Sequence, residues 1–287
     1  MPAVNSTTSA GKSLPSGAPV AGRALRLHEL RSRIFGNTRI LRVWLPRDYE
    51  ESGDQRYPVL YLGDGQNLFD PATAFAGVDW RVGEAAGRLI EEGKIPPLLI
   101  VGVDNTGKQR MREYIPYRSF DPRVLWPLGS RYPAFLLQEV MPLVESRYRV
   151  AKGPDNTGLG GSSLGGLITL YTQLAKPGVF GRVLIESPSL FVAKRRILEE
   201  CRKFHAWPFR VCLGVGTREG GDPAKDESVA KDVRDLAAIL NEAGLNENRL
   251  KVAVEEGALH GEKAWGERFP AALEFLFRES GDGLVPG

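Results

Sequence analysis

A serine flanked by glycines is the residue of this chain that is best suited to chemistry. Residues 161–165 read Gly-Ser-Ser-Leu-Gly, a G-x-S-x-G pattern that closes a short apolar run and opens a stretch with helical spacing. Glycines on both sides of Ser163 remove side chains that would clash in a sharp strand-to-helix turn, so the hydroxyl is pushed outward. The amide of Leu164 and the positive end of the helix dipole could stabilise an oxyanion. The pattern predicts a nucleophile; a structural Gly-Ser turn is the alternative.

The histidine that could activate this serine is His260. A serine hydroxyl is a poor nucleophile until a base removes its proton, and α/β-hydrolases place the acid and then the histidine after the serine. His260 lies in the loop 257–261, between the last predicted strand and the C-terminal helix. His205 precedes a predicted strand and would lie at its wrong end, and His28 precedes the predicted sheet. The order therefore indicates His260 as the general base.

The acid that orients the histidine is expected after the strand 210–215. This segment runs into Gly-Thr-Arg-Glu-Gly-Gly-Asp at residues 216–222, which offers Glu219 and Asp222, with Asp226 a little beyond. Either carboxylate type can accept the imidazole N–H and stabilise the imidazolium. Glu219 is nearest to the strand end and is the preferred acid, while Asp222 and Asp226 remain open as alternatives.

A second oxyanion donor is expected in the loop after the strand 58–62. Residues 63–67 read Gly-Asp-Gly-Gln-Asn, which carries little side-chain bulk and lets backbone amides approach a substrate. We expect the Gln66 amide to act together with that of Leu164, and we take Asp64 as a candidate substrate contact. An ordinary Gly-Asp turn without a ligand is the other reading.

The segment 105–131 has no clear period and is rich in aromatic and basic residues, as functional loops of this length often are. Arg110, Arg112 and Arg118 could receive an anionic part of a substrate, which would make this segment a substrate lid. Solvated surface arginines are the alternative interpretation.

The remaining pattern alternates between strands and helices. Apolar runs predict strands at 40–46, 58–62, 98–103, 157–162, 183–185, 210–215 and 250–254, and helical spacing predicts helices at 82–95, 134–148, 164–175, 229–242 and 265–277. Such repeated units predict an α/β fold with a mostly parallel central sheet and helices on both faces. Residues 23–287 are expected to form a single α/β-hydrolase domain behind a disordered N-terminal tail, 1–22, that does not have the pattern of a signal peptide.

Composition narrows the function classes. The net charge is only +3, so nothing global favours nucleic acid or an anionic membrane. Two cysteines and three scattered histidines cannot build a disulfide scaffold or a sequence-local metal motif. These features favour a protein of the cytoplasm without metal or cofactor and without nucleic-acid or membrane partners. The pattern of serine, acid and histidine, in contrast, predicts an enzyme that acts on a small-molecule ester.

Several segments together resemble one family. Residues 57–70, which read YPVLYLGDGQNLFD, closely resemble a segment of the "Putative esterase" family, which includes enterochelin esterases, S-formylglutathione hydrolases, feruloyl-type esterases and mycolyltransferases. Further segments also resemble it, in order: residues 42–46, residues 102–105 with Arg110, Glu113, Tyr114 and Pro116, residues 161–166, residues 216–219 and the ending from His260 to Trp265. The resemblance covers roughly residues 42 to 277.

The resemblance implies roles for individual residues. Ser163, Glu219 and His260 fall on the family's triad, and Gln66 and Leu164 fall on its oxyanion donors. One departure is the stretch before His260, which reads Gly-Ala-Leu where the family usually has Gly-x or Gly-Gly. The expected activity is ester hydrolysis, with acyl transfer on the same scaffold or a non-catalytic binding module as alternatives.

Overall fold

The computed structural model describes residues 24–118 and 126–279, and the predicted tail at 1–22 lies outside them. Strands in these residues form one sheet with the order β1-β2-β4-β3-β5-β6-β7-β8. The strands are β1 (Leu25–Ser32), β2 (Asn37–Trp44), β3 (Val59–Gly63), β4 (Leu99–Val103), β5 (Thr157–Ser162), β6 (Arg182–Glu186), β7 (Arg210–Arg218) and β8 (Leu250–Leu259).

The helices connect these strands. They are α1 (Val82–Glu91), α2 (Arg110–Tyr114), α3 (Tyr132–Phe135), α4 (Met141–Arg147), α5 (Leu164–Ala175), α6 (Arg196–Arg202), α7 (Pro223–Glu242) and α8 (Glu262–Phe277). A π-helical turn, Leu136–Val140, joins α3 to α4, and a short 3-10 turn, Gly65–Asn67, follows β3. No helix within 24–118 or 126–279 is both long enough and apolar enough to cross a bilayer.

The sheet is mostly parallel, which confirms the predicted fold class. Strand β2 pairs antiparallel with β1 and with β4, while the six strands from β4 to β8 in the sheet order run parallel. After β4 the chain crosses to the other side of β3 and adds β5. Loops that leave adjacent strands in opposite directions open a crevice at their carboxyl ends. The loops after β3 and β5 are therefore the ones that can line a site.

The two faces of the sheet are covered by different helices. Apolar residues of α1 and α8, among them Val82 and Phe269, pack on one face with Leu60 of β3. Residues of α5 and α7 pack on the other face, as Ile168 and Leu236 show. Strands β3 and β4 are buried almost throughout, as the continuous apolar runs in the sequence indicate.

Strand β1 and helix α6 were not predicted, and the expectation that His28 precedes the sheet is wrong. His28 lies in β1, is buried, and its Nε2 is 2.5 Å from the hydroxyl oxygen of Tyr148. Burial, with a smaller effect of Arg147, lowers the pKa of His28 to about 4. Its two ring nitrogens are occupied by Tyr148 and Arg147, so this histidine has a structural role.

Strands β7 and β8 are longer than their apolar runs. They extend to Arg218 and Leu259, so Glu219 and His260 directly follow the ends of adjacent parallel strands. The segment 105–131 also differs from its prediction, because it contains α2 instead of lacking regular structure; residues 119–125 lie outside the described part.

The turn from β5 into α5 depends on Gly161. A Cβ on this residue would lie 2.8 Å from the carbonyl carbon and oxygen of Gly165, closer than real contacts allow. Neither partner atom can move freely, because both belong to the first turn of α5.

We expect Gly161→Ala to lower the free energy of unfolding by at least about 2 kcal/mol, since backbone must shift to admit the methyl group. Gly178→Ala is the matched control, because Gly178 has a φ of +77° but no atom within 4 Å of the added Cβ. It should cost only about 1 to 2 kcal/mol from backbone strain. Urea unfolding measures the free energy of unfolding of both variants. An equal loss of stability in the two would contradict this view of the turn.

Candidate active site

Ser163 occupies the turn between β5 and α5 in a strained conformation. Its φ is 58° and its ψ is −122°, values that non-glycine residues rarely adopt. The surrounding backbone holds it there, because its amide donates to the Glu186 carbonyl at 2.9 Å and its carbonyl accepts from the amides of Leu167 and Ser189. The carbonyl of Ser163 begins α5, so the Leu164 amide lies at the helix N-terminus, where amides have no intrahelical acceptor.

His260 contacts both of the groups that an activating histidine requires. Its Nε2 is 3.0 Å from Ser163 Oγ, and its Nδ1 is 2.9 Å from Glu219 Oε2. The Trp265 ring meets the imidazole edge to face, with ring centroids 5.0 Å apart. The histidine therefore bridges a hydroxyl and a carboxylate that are 56 positions apart in the sequence, because both follow strands that end at the same edge of the sheet.

Glu219 is a fully buried carboxylate. Its Oε1 accepts from Ser187 Oγ and from the Gly216 amide, each at 2.6 Å, and its Oε2 faces His260. Burial by itself would raise the pKa of Glu219, but these hydrogen bonds outweigh burial and hold the pKa below its ordinary value. The carboxylate is therefore ionised at neutral pH, ready to stabilise a charged imidazole.

The other two candidate acids lie away from the histidine. Asp222 caps α7, where its Oδ1 accepts from the Lys225 amide at 3.0 Å. Asp226 accepts from the amides of Gly220 and Gly221. Of the three acids that the sequence left open, Glu219 is the one that contacts His260.

A layer of polar residues beneath Glu219 was not singled out from the sequence. It consists of Glu186, Ser187 and Arg268, all buried. Arg268 Nε donates to Glu186 at 2.9 Å and Nη1 donates to Glu255 at 2.8 Å, while Nη2 lies 3.8 Å from Glu219 Oε1. Burial raises the pKa of Glu186 to about 7 against the opposing effect of Arg268. The signal in the sequence was a Ser-Pro-Ser segment, 187–189, directly after a buried strand.

The loop after β3 is tied to the loop after β4. Asp64 accepts a bidentate pair of hydrogen bonds from Arg110, both at 2.7 Å, and a third from Asn105 Nδ2 at 2.7 Å. The Gln66 side chain accepts from the Asn105 amide at 3.1 Å. Gly65 packs so tightly that a Cβ would lie 2.6 Å from the Gly102 carbonyl carbon. Gln66 is thereby held in the first turn of a 3-10 segment, where amides lack intrahelical acceptors.

The three arginines of the segment after β4 have different surroundings. Arg110 forms an ion pair with Asp64. Arg112 is exposed and its Nε donates to the Trp126 carbonyl at 2.9 Å, and Arg118 is exposed. The structure thus leaves Arg112 and Arg118 facing solvent, whereas Arg110 supports the loop that carries Gln66.

Two depressions meet at His260. One, of about 480 Å³, is lined by Ser163 and His260, and the other, of about 550 Å³, is lined by His260 without Ser163. The walls of the first include Pro188, Phe191, Lys225 and Val229, and those of the second include Ala76, Val78, Leu259 and Glu262. Within 24–118 and 126–279, no three His, Cys, Asp or Glu side chains converge as a metal site would require.

Comparisons with known proteins identify the family of the chain. The sequence profile described as "Putative esterase" matches residues 32–276. The protein YbbA of Bacillus subtilis is 27% identical over 248 residues, which cover 84% of this chain and 93% of YbbA. Ferri-bacillibactin esterase BesA of Bacillus subtilis is 25% identical over 209 residues, which cover 66% of this chain and 69% of BesA.

A solved structure shares the fold. Siderophore hydrolase EstA from Aspergillus nidulans superposes with a TM-score of 0.70 at 23% identity, and the match covers 91% of this chain and 97% of EstA. The profile match spans most of the chain. The chain is a carboxylic ester hydrolase and belongs to the "Putative esterase" family, within the α/β-hydrolase fold.

Proposed function

We propose that this enzyme cleaves esters of small molecules through a covalent acyl-enzyme on Ser163. The observation that carries the proposal is the unbroken pair of hydrogen bonds from Ser163 Oγ to His260 Nε2, at 3.0 Å, and from His260 Nδ1 to Glu219, at 2.9 Å. This is the set of contacts that converts a serine hydroxyl into a nucleophile. A non-catalytic binding module would have no need of a strained serine aligned with a histidine.

The proposed reaction proceeds in two halves. As Ser163 Oγ attacks the ester carbonyl carbon, His260 Nε2 takes the hydroxyl proton, and the imidazolium is stabilised by Glu219. The carbonyl oxygen becomes an oxyanion, for which the amides of Leu164 and Gln66 are the proposed donors. His260 then protonates the leaving alcohol, and a water molecule repeats the sequence to release the acid and restore the serine.

The substrate class is proposed from the relatives and the site. BesA is named a ferri-bacillibactin esterase, and EstA is named a siderophore hydrolase. The apolar wall beside Ser163 contains the exposed ring of Phe191, which is 62% accessible and can contact an apolar part of a substrate. A siderophore-type ester is therefore the first substrate to test, in a panel with feruloyl, sugar-acetate and thioester substrates. Release of free acid, rather than a new ester on an added alcohol, distinguishes hydrolysis from acyl transfer.

Replacing the nucleophile tests the mechanism. Ser163→Ala should lower kcat for p-nitrophenyl acetate by at least about 10³-fold, because no covalent intermediate can form. Ser189→Ala is the matched control, since Ser189 Oγ lies only 3.5 Å from Ser163 Oγ. The kcat of this control variant should fall by less than about tenfold. Substantial hydrolysis by Ser163→Ala would remove this residue from the mechanism.

Replacing the buried acid tests the assignment among the three carboxylates. Glu219→Gln should lower kcat by roughly 10³- to 10⁴-fold, because an amide can present N–H to His260 Nδ1 and favour the wrong tautomer. Asp222→Asn should keep kcat, since asparagine is also a good helix N-cap. The measurement is steady-state hydrolysis of p-nitrophenyl acetate by both variants. If Asp222→Asn were the impaired variant, the acid would have been misassigned.

The proposed role of the exposed arginines makes a separate prediction. If they receive an anionic part of the substrate, Arg112→Ala with Arg118→Ala should raise KM for an anionic ester by about 3- to 10-fold and leave a neutral ester unaffected. Salt should reduce this difference, because the charges are solvent-exposed. Equal kinetics of wild type and variant on both esters would leave these arginines as ordinary surface charges.

A further inference from the structure

Ser187 has a hydroxyl group in the middle of a fully buried hydrogen-bond network. The residue directly follows β6 and is 1% exposed. Its Oγ is 2.6 Å from Glu219 Oε1, 2.8 Å from the indole nitrogen of Trp265 and 3.3 Å from Nη2 of Arg268. These contacts join the residue after β6, the acid after β7 and two residues of α8 that are one helical turn apart.

The direction of each hydrogen bond follows from the chemistry of the groups. Indole and guanidinium nitrogens can only donate, so Trp265 and Arg268 fill the two acceptor sites of the Ser187 oxygen. The single hydroxyl proton of Ser187 must then point at Glu219, which accepts it as a carboxylate. Oε1 also accepts from the Gly216 amide, so two donors face this oxygen and it carries no proton of its own.

This direction extends to the histidine. With Oε1 occupied by Ser187 and Gly216, Glu219 presents Oε2 to His260 Nδ1 at 2.9 Å. Nδ1 therefore carries the proton of the neutral imidazole, and the lone pair of Nε2 faces Ser163 Oγ. The fixed polarity of the Ser187 hydroxyl thus selects the tautomer that a general base needs.

The backbone of Ser187 gives independent support. Its φ is 42°, in the left-handed region that favours glycine, and its amide is fixed by the Gly214 carbonyl at 2.7 Å. Serine at such a position costs conformational energy that glycine would avoid. The presence of serine, rather than glycine, at this strained position next to the buried acid supports a role for the hydroxyl itself.

We propose that Ser187 is a positioning residue for the triad, with Trp265 and Arg268 directing its proton to Glu219. The inference rests on the proposed function, because it assigns Ser187 a role through Glu219 and His260. Ser187 is 1% exposed and its hydroxyl contacts Glu219, so it acts through the carboxylate, which it holds ionised and oriented. Trp265 contributes twice, since its ring also packs against the imidazole.

Ser187→Gly tests the proposal, because glycine suits the positive φ and the hydroxymethyl group is removed without adding backbone strain. We expect kcat for p-nitrophenyl acetate to fall by about 10- to 100-fold, which is the rate effect expected from losing one hydrogen bond to a charged group. KM should stay within about twofold, since no substrate contact is removed. Ser187→Cys keeps a weak donor, so its kcat should lie between that of Ser187→Gly and that of the wild type. Thermal unfolding establishes that each variant is folded.

A second variant addresses the direction of the proton. Trp265→Phe keeps an aromatic ring beside His260 but removes the indole donor, and should lower kcat by about 3- to 10-fold. Ser189→Ala, on the same loop, is the matched control and should be far less affected than Ser187→Gly. A folded Ser187→Gly enzyme with wild-type kcat would overturn the inference. If Ser163→Ala is inactive at the same time, the proposed function stands and only the role of Ser187 fails.

Discussion

The buried negative charge of Glu219 is the interaction on which the rest of the site depends. A carboxylate removed from water is strongly disfavoured unless donors replace its hydration. Here the donors are the Ser187 hydroxyl, the Gly216 amide and the His260 imidazole, and together they lower the pKa of Glu219 although its side chain is fully buried. These donors come from the residue after β6, from β7 and from the residue after β8, so this one charge links the ends of three strands. The imidazole of His260 is oriented by its hydrogen bond to the same carboxylate.

The parallel sheet brings these groups together without any of them being near in sequence. Parallel strands end at one edge, so the loops after β3, β5, β6, β7 and β8 converge there. Ser163 is held by a strained turn with no space at Gly161, and the loop of Gln66 is held by the ion pair of Asp64 with Arg110. The turn of Ser163 and the loop of Gln66 are both positioned before a substrate binds. Such preorganisation is how a site stabilises charge that develops during a reaction.

Much of this architecture could be predicted from the sequence, because its signals are local. Continuous apolar runs marked β3 and β4, and the spacing of glycines around Ser163 marked the turn. Strand β1 was missed because a buried histidine, His28, occupies a position where alternation would call for an apolar residue. The role of Ser187 was missed for another reason. Its partners Glu219 and Trp265 are 32 and 78 positions away, and only the fold shows that the three meet.

The central claim is that the hydroxyl of Ser163 is made nucleophilic by His260. The most direct measurement is peptide mapping by mass spectrometry after reaction with a fluorophosphonate, which traps an activated serine covalently. The account predicts one adduct, on the peptide that contains Ser163, and slow labelling when His260 is replaced by alanine. An adduct on another residue, or labelling at an unchanged rate without His260, would contradict it.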